Sequence, residues 1–172
     1  EEILDKGETV YAEIVGFTGT GKHIQGGYDY GVEEGNFEVL IYRITQTNDD
    51  GKVTELSMHQ VQERALQLGV EAVPLLYYGP ASGLIHGVLV EANEACLEKW
   101  QDHLLKHIET KYVEIGDCKY CVNKVPSEGV VLRIEKLTPT PFKMKQVSFV
   151  LGESAAADKG ETNLETDEET TD

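Results

Sequence analysis

Residues 9–16 alternate between apolar and polar side chains, which is the spacing of a β-strand. The alternation places Val10, Ala12 and Ile14 on one face of that strand. A second run, residues 37–44, is rich in β-branched and aromatic residues and predicts a central strand. The Asn-Asp-Asp-Gly sequence that follows it at residues 48–51 is typical of a hairpin turn.

Two later segments carry apolar residues at helical spacing. The first helix is predicted to begin at Ser57, with Gln60 three residues on as in a capping box, and to end at Gly69. Its apolar stripe consists of Val61, Ala65 and Leu68. A second helix is predicted over residues 91–108. Its apolar face consists of Leu97, Trp100, Leu104 and Ile108.

Three further apolar runs, at residues 74–78, 129–134 and 143–150, predict short strands. The order of elements favours the α+β class, with a mainly antiparallel sheet and two helices flanking it. A chain of 172 residues buries one sizeable core, so we expect one domain over residues 1–152. Residues 153–172 are acidic, have Leu164 as their one large apolar residue, and predict a disordered tail.

The formal net charge of −16 argues against a broad basic groove that would hold nucleic acid by charge alone. The sequence has no run of about 18 apolar residues, so we expect no membrane partner. Its first residues lack the basic and then apolar pattern of a signal peptide. Three cysteines, an odd number, indicate reduced thiols and a cytoplasmic setting.

The strongest chemical signal lies near the C-terminal end of the predicted domain. Glu128-Gly129 opens an apolar run, and Lys143 and Lys145 follow at a spacing of two. In a strand the two lysines point the same way, and their ammonium groups repel each other unless an anion lies between them. The pattern therefore predicts the floor of a phosphate site. The alternative is a solvated strand face.

Two other motifs have weaker chemical meaning. Cys118 and Cys121 form a C-x2-C pair, which supplies half of a zinc site or, alternatively, a pair of reduced thiols in a turn. Residues 16–23 imitate a P-loop, but His23 stands where the motif needs Ser or Thr, and the glycines that follow disfavour a helix. We expect a glycine-rich flap there.

Taken in order along the chain, four elements form a larger pattern. They are the Glu13 strand ending at Gly16, the Tyr42 strand, Glu128-Gly129, and Lys143-x-Lys145. This pattern resembles the phage-type ATP-dependent RNA ligases, which are covalent nucleotidyltransferases like DNA ligases and mRNA capping enzymes. The resemblance covers roughly residues 10–149, and it implies a partial ligase domain of the nucleotidyltransferase or ATP-grasp-like kind.

The resemblance implies a three-step reaction. A lysine attacks the α-phosphate of ATP and keeps AMP, the AMP moves to a 5′-phosphate RNA end, and a 3′-hydroxyl displaces it. In this resemblance Glu13 would bind the ribose hydroxyls and Tyr42 would stack on adenine. Glu128 would work with Mg²⁺ or Mn²⁺, and Lys143 and Lys145 would neutralise the phosphates during catalysis.

Two positions depart from the family pattern. Arg43 stands where many relatives have Asp, and the nucleophile element Lys-x-Asp-Gly is absent from this sequence. We therefore expect a C-terminal part of the adenylyltransferase domain, which depends on a missing N-terminal segment and forms no lysine–AMP adduct alone. The alternatives are a non-catalytic nucleotide-binding module of the same fold and an acidic adaptor unrelated to it.

Overall fold

The computed structural model describes residues 3–85 and 94–158. The strands are β1 (Glu8–Gly16), β2 (Phe37–Thr47), β3 (Val53–Glu55), β4 (Glu71–Ala72), β5 (Gly129–Ile134) and β6 (Thr140–Lys145). The α-helices are α1 (Met58–Leu68), α2 (Glu94–Ile108) and α3 (Val147–Asp158). A 3₁₀ turn covers Ala81–Gly83, and a π-helical turn, Glu109–Val113, continues α2. The predicted α+β class is confirmed.

The strands form two sheets. In the first, β1 and β3 pair antiparallel with the central strand β2, and the short β4 pairs with β2 in parallel. In the second, β5 and β6 form an antiparallel hairpin. The turn between β2 and β3 is the predicted one, because the Asn48 N–H donates to the Lys52 carbonyl and Gly51 has a φ of 78°.

A β-bulge in β2 determines what the first sheet buries. Tyr11 pairs with Arg43 and Ala12 pairs with Ile41, so Tyr42 is an extra residue without a counterpart on β1. Ile41 and Ile44 therefore lie on the same face, although a regular strand would place them on opposite faces. Both are at most 1% exposed.

Helix α1 covers this apolar face. The buried cluster consists of Ile41, Ile44, Met58, Val61 and Ala65. The helix begins as predicted, because the Ser57 hydroxyl accepts from the Gln60 N–H and the Gln60 side chain accepts from the Ser57 N–H. It ends at Gly69, whose left-handed φ of 75° closes the last turn.

Some predicted elements differ from the structure. The strand predicted at 74–78 is wrong: the strand here is Glu71–Ala72, and Pro74, which has no N–H, lies in irregular chain. The strand predicted at 143–150 is wrong beyond Lys145, because α3 begins at Val147. Residues 153–158, predicted as tail, continue this helix, whereas residues 91–93 of the second predicted helix and 159–172 of the tail lie outside the described residues.

Helix α3 begins where a distant carboxylate binds its first turn. The Val147 N–H donates to Glu114 Oε1 at 3.1 Å, and Glu114 directly follows the π-helical turn. Within residues 3–85 and 94–158, no helix combines the length and the apolar composition needed to cross a bilayer.

Candidate functional site

The end of the β5–β6 hairpin is shaped by Gly129. Its φ of 135° is unfavourable for other residues, and a Cβ there would overlap the carbonyl oxygen of Met144 on β6. The Gln146 N–H donates to the Glu128 carbonyl at 2.9 Å, which extends the hairpin by one residue. Glycine is therefore required where Glu128 leads into the strand.

Glu128 and Lys143 form an ion pair across this end of the hairpin. Lys143 Nζ lies 2.6 Å from Glu128 Oε1, with 56% and 32% of the two side chains exposed. In regular alternation Glu128 would point to the face opposite Gly129, and hence away from Lys143. The unusual backbone of Gly129 allows the carboxylate to reach the lysine.

Lys143 and Lys145 lie on one face of the hairpin, as the spacing predicts. Lys143 is opposite Val131, and Lys145 is opposite Gly129. Lys145 Nζ contacts Glu153 Oε2 at 3.0 Å and lies 5.3 Å from the ring centre of Phe149 on α3. The side chains of Lys143 and Lys145 are 56% and 37% exposed, so a polyanion can approach them from solvent.

The chemistry of this cluster suits a phosphate with a divalent cation. Two ammonium groups compensate charge on phosphate oxygens, and Glu128 supplies an oxygen ligand of the kind that Mg²⁺ or Mn²⁺ prefers. Among the described residues no three His, Cys, Asp or Glu side chains gather as a metal site. A cation at Glu128 would therefore take its remaining ligands from phosphate and water, which is usual for Mg²⁺.

Glu13 and Tyr42 lie on the first sheet, on the face that α1 does not cover. Glu13 pairs with Leu40 and is exposed. Tyr42 is 39% exposed, and its ring centre lies 6.4 Å from that of Tyr11, so the bulge turns Tyr42 to the face of Tyr11 and Glu13. The structure thus forms two groups from the five predicted nucleotide-binding residues, one on each sheet.

A polar network that the sequence did not reveal joins the two sheets. Arg43 Nε donates to Glu55 Oε2 at 2.9 Å, and the other oxygen of Glu55 lies 3.3 Å from Arg133 Nη1 on β5. Arg133 Nη2 also donates to the Leu56 carbonyl at 2.6 Å. Arg133 shares its hairpin face with Val131 and Gly129, and hence with the two lysines that are opposite them. The network, which we call the Glu55 bridge (Arg43, Glu55 and Arg133), links the first sheet to the hairpin, and each of these carries one group of predicted residues.

A second connection runs through the glycine-rich segment after β1. The Val122 N–H donates to the Asp29 carbonyl at 2.7 Å, and the Tyr28 hydroxyl donates to the Pro126 carbonyl at 2.9 Å. Burial raises the pKa of Tyr28 to about 12, so its hydroxyl keeps its proton as a donor. The segment therefore lies against the chain that leads into Glu128, and the P-loop-like residues before it form a tight turn closed by the Thr18 N–H and the Lys22 carbonyl.

The described residues supply only two ligands of the predicted zinc site. Cys118 and Cys121 are free thiols in the turn that Cys118 N–H and the Val125 carbonyl close. Burial, and then the hydrogen bond with Cys118, raise the pKa of Cys121 to about 12, which favours a protonated thiol rather than a thiolate ligand. His103, upstream on α2, is bonded through Nδ1 to the Lys99 carbonyl.

Comparison with family models, with curated proteins and with solved structures finds no match.

Proposed function

We propose that this chain carries the ATP-binding surfaces of an ATP-dependent RNA ligase. The observation that carries the proposal is the Glu128–Lys143 pair, 2.6 Å apart, with Lys145 beside it on the same face of the β5–β6 hairpin. A carboxylate and two amines at one strand end suit the triphosphate and its metal. Their order along the chain is that of the ligase motifs.

In this proposal the two sheets bind different parts of ATP. Tyr42 stacks on adenine and Glu13 accepts hydrogen bonds from the ribose hydroxyls. Lys143 and Lys145 compensate the charge of the phosphates and of the departing pyrophosphate, while Glu128 orients Mg²⁺ or Mn²⁺. The adenylyl group then passes to a 5′-phosphate RNA end. In this proposal the reaction takes place in the cytoplasm and repairs RNA.

The attacking lysine is the one part that this sequence does not supply, because it contains no Lys-x-Asp-Gly. The chain alone is therefore expected to bind ATP without forming the phosphoamide. A form of the protein that includes such a lysine is expected to retain label from α-³²P-ATP and to transfer it to 5′-phosphorylated RNA. Failure of that longer form to retain label would favour a non-catalytic nucleotide-binding module instead.

Equilibrium binding of ATP with Mg²⁺ tests the surfaces directly. Lys143→Ala and Lys145→Ala should each weaken ATP binding about 10- to 100-fold, because a charged hydrogen bond contributes ~1.5–3 kcal/mol. Lys6→Ala is the matched control, since Lys6 also forms a 2.6 Å ion pair, with Asp49, but lies on the first sheet's margin. Equal ATP affinity in wild type, Lys143→Ala and Lys145→Ala would refute the phosphate site.

A further inference from the structure

The Glu55 bridge engages both oxygens of one carboxylate, one with a neighbouring strand of the first sheet and the other with the second sheet. Glu55 Oε2 accepts from Arg43 Nε at 2.9 Å, and Glu55 Oε1 lies 3.3 Å from Arg133 Nη1. Only 16% of the Glu55 side chain and 11% of the Arg133 side chain are exposed. The Glu55–Arg133 contact is thus largely shielded from water, whereas the Arg43 side chain at the other end is 41% exposed.

Each end of the bridge is adjacent to one half of the proposed ATP site. Arg43 follows Tyr42 in the bulge, and its guanidinium carbon lies 4.7 Å above the Tyr11 ring on the Glu13 face. Arg133 lies on the same hairpin face as Lys143 and Lys145. Glu55 therefore acts together with the Leu56 carbonyl and Glu135, which also bind Arg133, in holding the base-binding face relative to the phosphate-binding face.

We propose that Glu55 is a positioning residue that sets the separation between the adenosine-binding and triphosphate-binding surfaces. The inference rests on the proposed function and deepens it. A ligand that spans two surfaces gains affinity because its second half binds at a high effective concentration, and that gain is lost when the surfaces are displaced. Ligands that touch one surface do not depend on the separation.

The Glu55 bridge is not expected to add much to the free energy of unfolding. Buried ion pairs seldom stabilise a protein more than apolar residues of the same size would, because desolvation offsets the attraction between the charges. Arg133 Nε is, in addition, buried and has no partner among the described residues. A carboxylate bound by two arginines instead fixes the geometry between the first sheet and the β5–β6 hairpin.

The experiment compares three ligands on the whole chain: ATP, adenosine and tripolyphosphate, each with Mg²⁺. Glu55→Gln should weaken ATP binding about tenfold but change adenosine and tripolyphosphate binding by less than about twofold. Glu63→Gln, at an exposed glutamate on α1, should change none of the three. A purely structural role for Glu55 would weaken all three ligands together.

A second variant covers the case in which Glu55→Gln does not fold. Glu55→Met combined with Arg133→Met removes the bridge: Arg43 is 41% exposed and stays solvated, and Glu135 loses its contact with Arg133 but keeps the hydrogen bond from the Met58 N–H. The double variant should show the same selective loss for ATP. Unchanged ATP binding, or an equal loss for the three ligands, would overturn the positioning role alone. A wild-type chain that binds none of the three ligands would overturn both the role and the proposed function.

Discussion

The reactivity of Cys121 distinguishes the two interpretations of the C-x2-C motif, which are half of a zinc site and a pair of reduced thiols. Its thiol is half-buried, and in the metal-free chain burial raises its pKa to about 12, which favours the protonated form at neutral pH. Iodoacetamide reacts with the thiolate. We expect the peptide that contains Cys121 to be alkylated at pH 7.5 at least about tenfold more slowly in the folded chain than in urea.

A chelator provides the control for this labelling. EDTA should leave the rate unchanged, because a protonated thiol holds no metal. Labelling that accelerates with EDTA would contradict the thiol interpretation and support zinc at Cys118 and Cys121.

Individual residues differ in how well the sequence predicts their position and contacts in the fold. Lys143 and Lys145 share a face because strand geometry requires it, and the Glu128 contact depends on a glycine that is visible in the sequence. The Arg43–Glu55 contact crosses the predicted hairpin turn at residues 48–51 and was within reach of the sequence, whereas Arg133 lies on the distant strand β5 and no local pattern links it to Glu55. Arg133 could have been found, because it is four residues from Gly129 and therefore on the same strand face.

Between elements, one ion pair joins β1 to α1 and makes stability depend on pH. Arg64 donates to both oxygens of Glu8, at 2.8 and 2.7 Å, and the Glu8 side chain is only 4% exposed. This hydrogen bonding lowers the pKa of Glu8 despite the opposing effect of burial. Because the folded pKa lies below the unfolded value, the pair stabilises the fold above the unfolded pKa, near 4.3. That stabilisation is lost as the pH falls through the folded pKa.

Glu8→Gln should therefore lower the urea midpoint at pH 7, and its difference from wild type should shrink as the pH falls below about 4. Glu38→Gln, at an exposed position on β2, is the control and should leave the midpoint within experimental error. Identical midpoints for Glu8→Gln and wild type at pH 7 would show that the pair contributes nothing to the fold.

The elements that the sequence predicted well are those with local signals. The capping box at Ser57 and the left-handed Gly69 define α1 at both ends without help from the rest of the chain. Helix α3 was missed because Val147, Phe149 and Val150 favour strands locally, whereas the carboxylate that binds the first turn comes from Glu114. Such a tertiary contact overrides local propensity and is invisible in the segment itself.

For the whole molecule, the class of fold was predictable and the relation between its two sheets was not. The period of the apolar positions gave β1, β2, α1 and β5, and the α+β class followed from their order. The contact between the two sheets depends on hydrogen bonds such as those from the Tyr28 hydroxyl to the Pro126 carbonyl and from Arg133 to the Leu56 carbonyl. Neither follows from periodicity, and together they orient the hairpin toward the first sheet.

The bulge at Tyr42 has a consequence for insertions and deletions in β2. If Tyr42 were removed, Ile41, Arg43 and Ile44 would alternate regularly, and each would keep its present partner on β1. A one-residue gain can therefore add a ring to the sheet face that α1 does not cover while every core residue keeps its place.

Deleting Tyr42 should consequently leave the urea midpoint unchanged or higher, yet weaken adenosine binding by about 1–3 kcal/mol through the lost stacking. Tyr42→Ala keeps the backbone irregularity and should lose adenosine affinity to the same extent. A deletion variant that fails to fold would contradict the prediction that the core residues keep their partners. A folded deletion variant that binds adenosine normally would show that Tyr42 does not stack on the base.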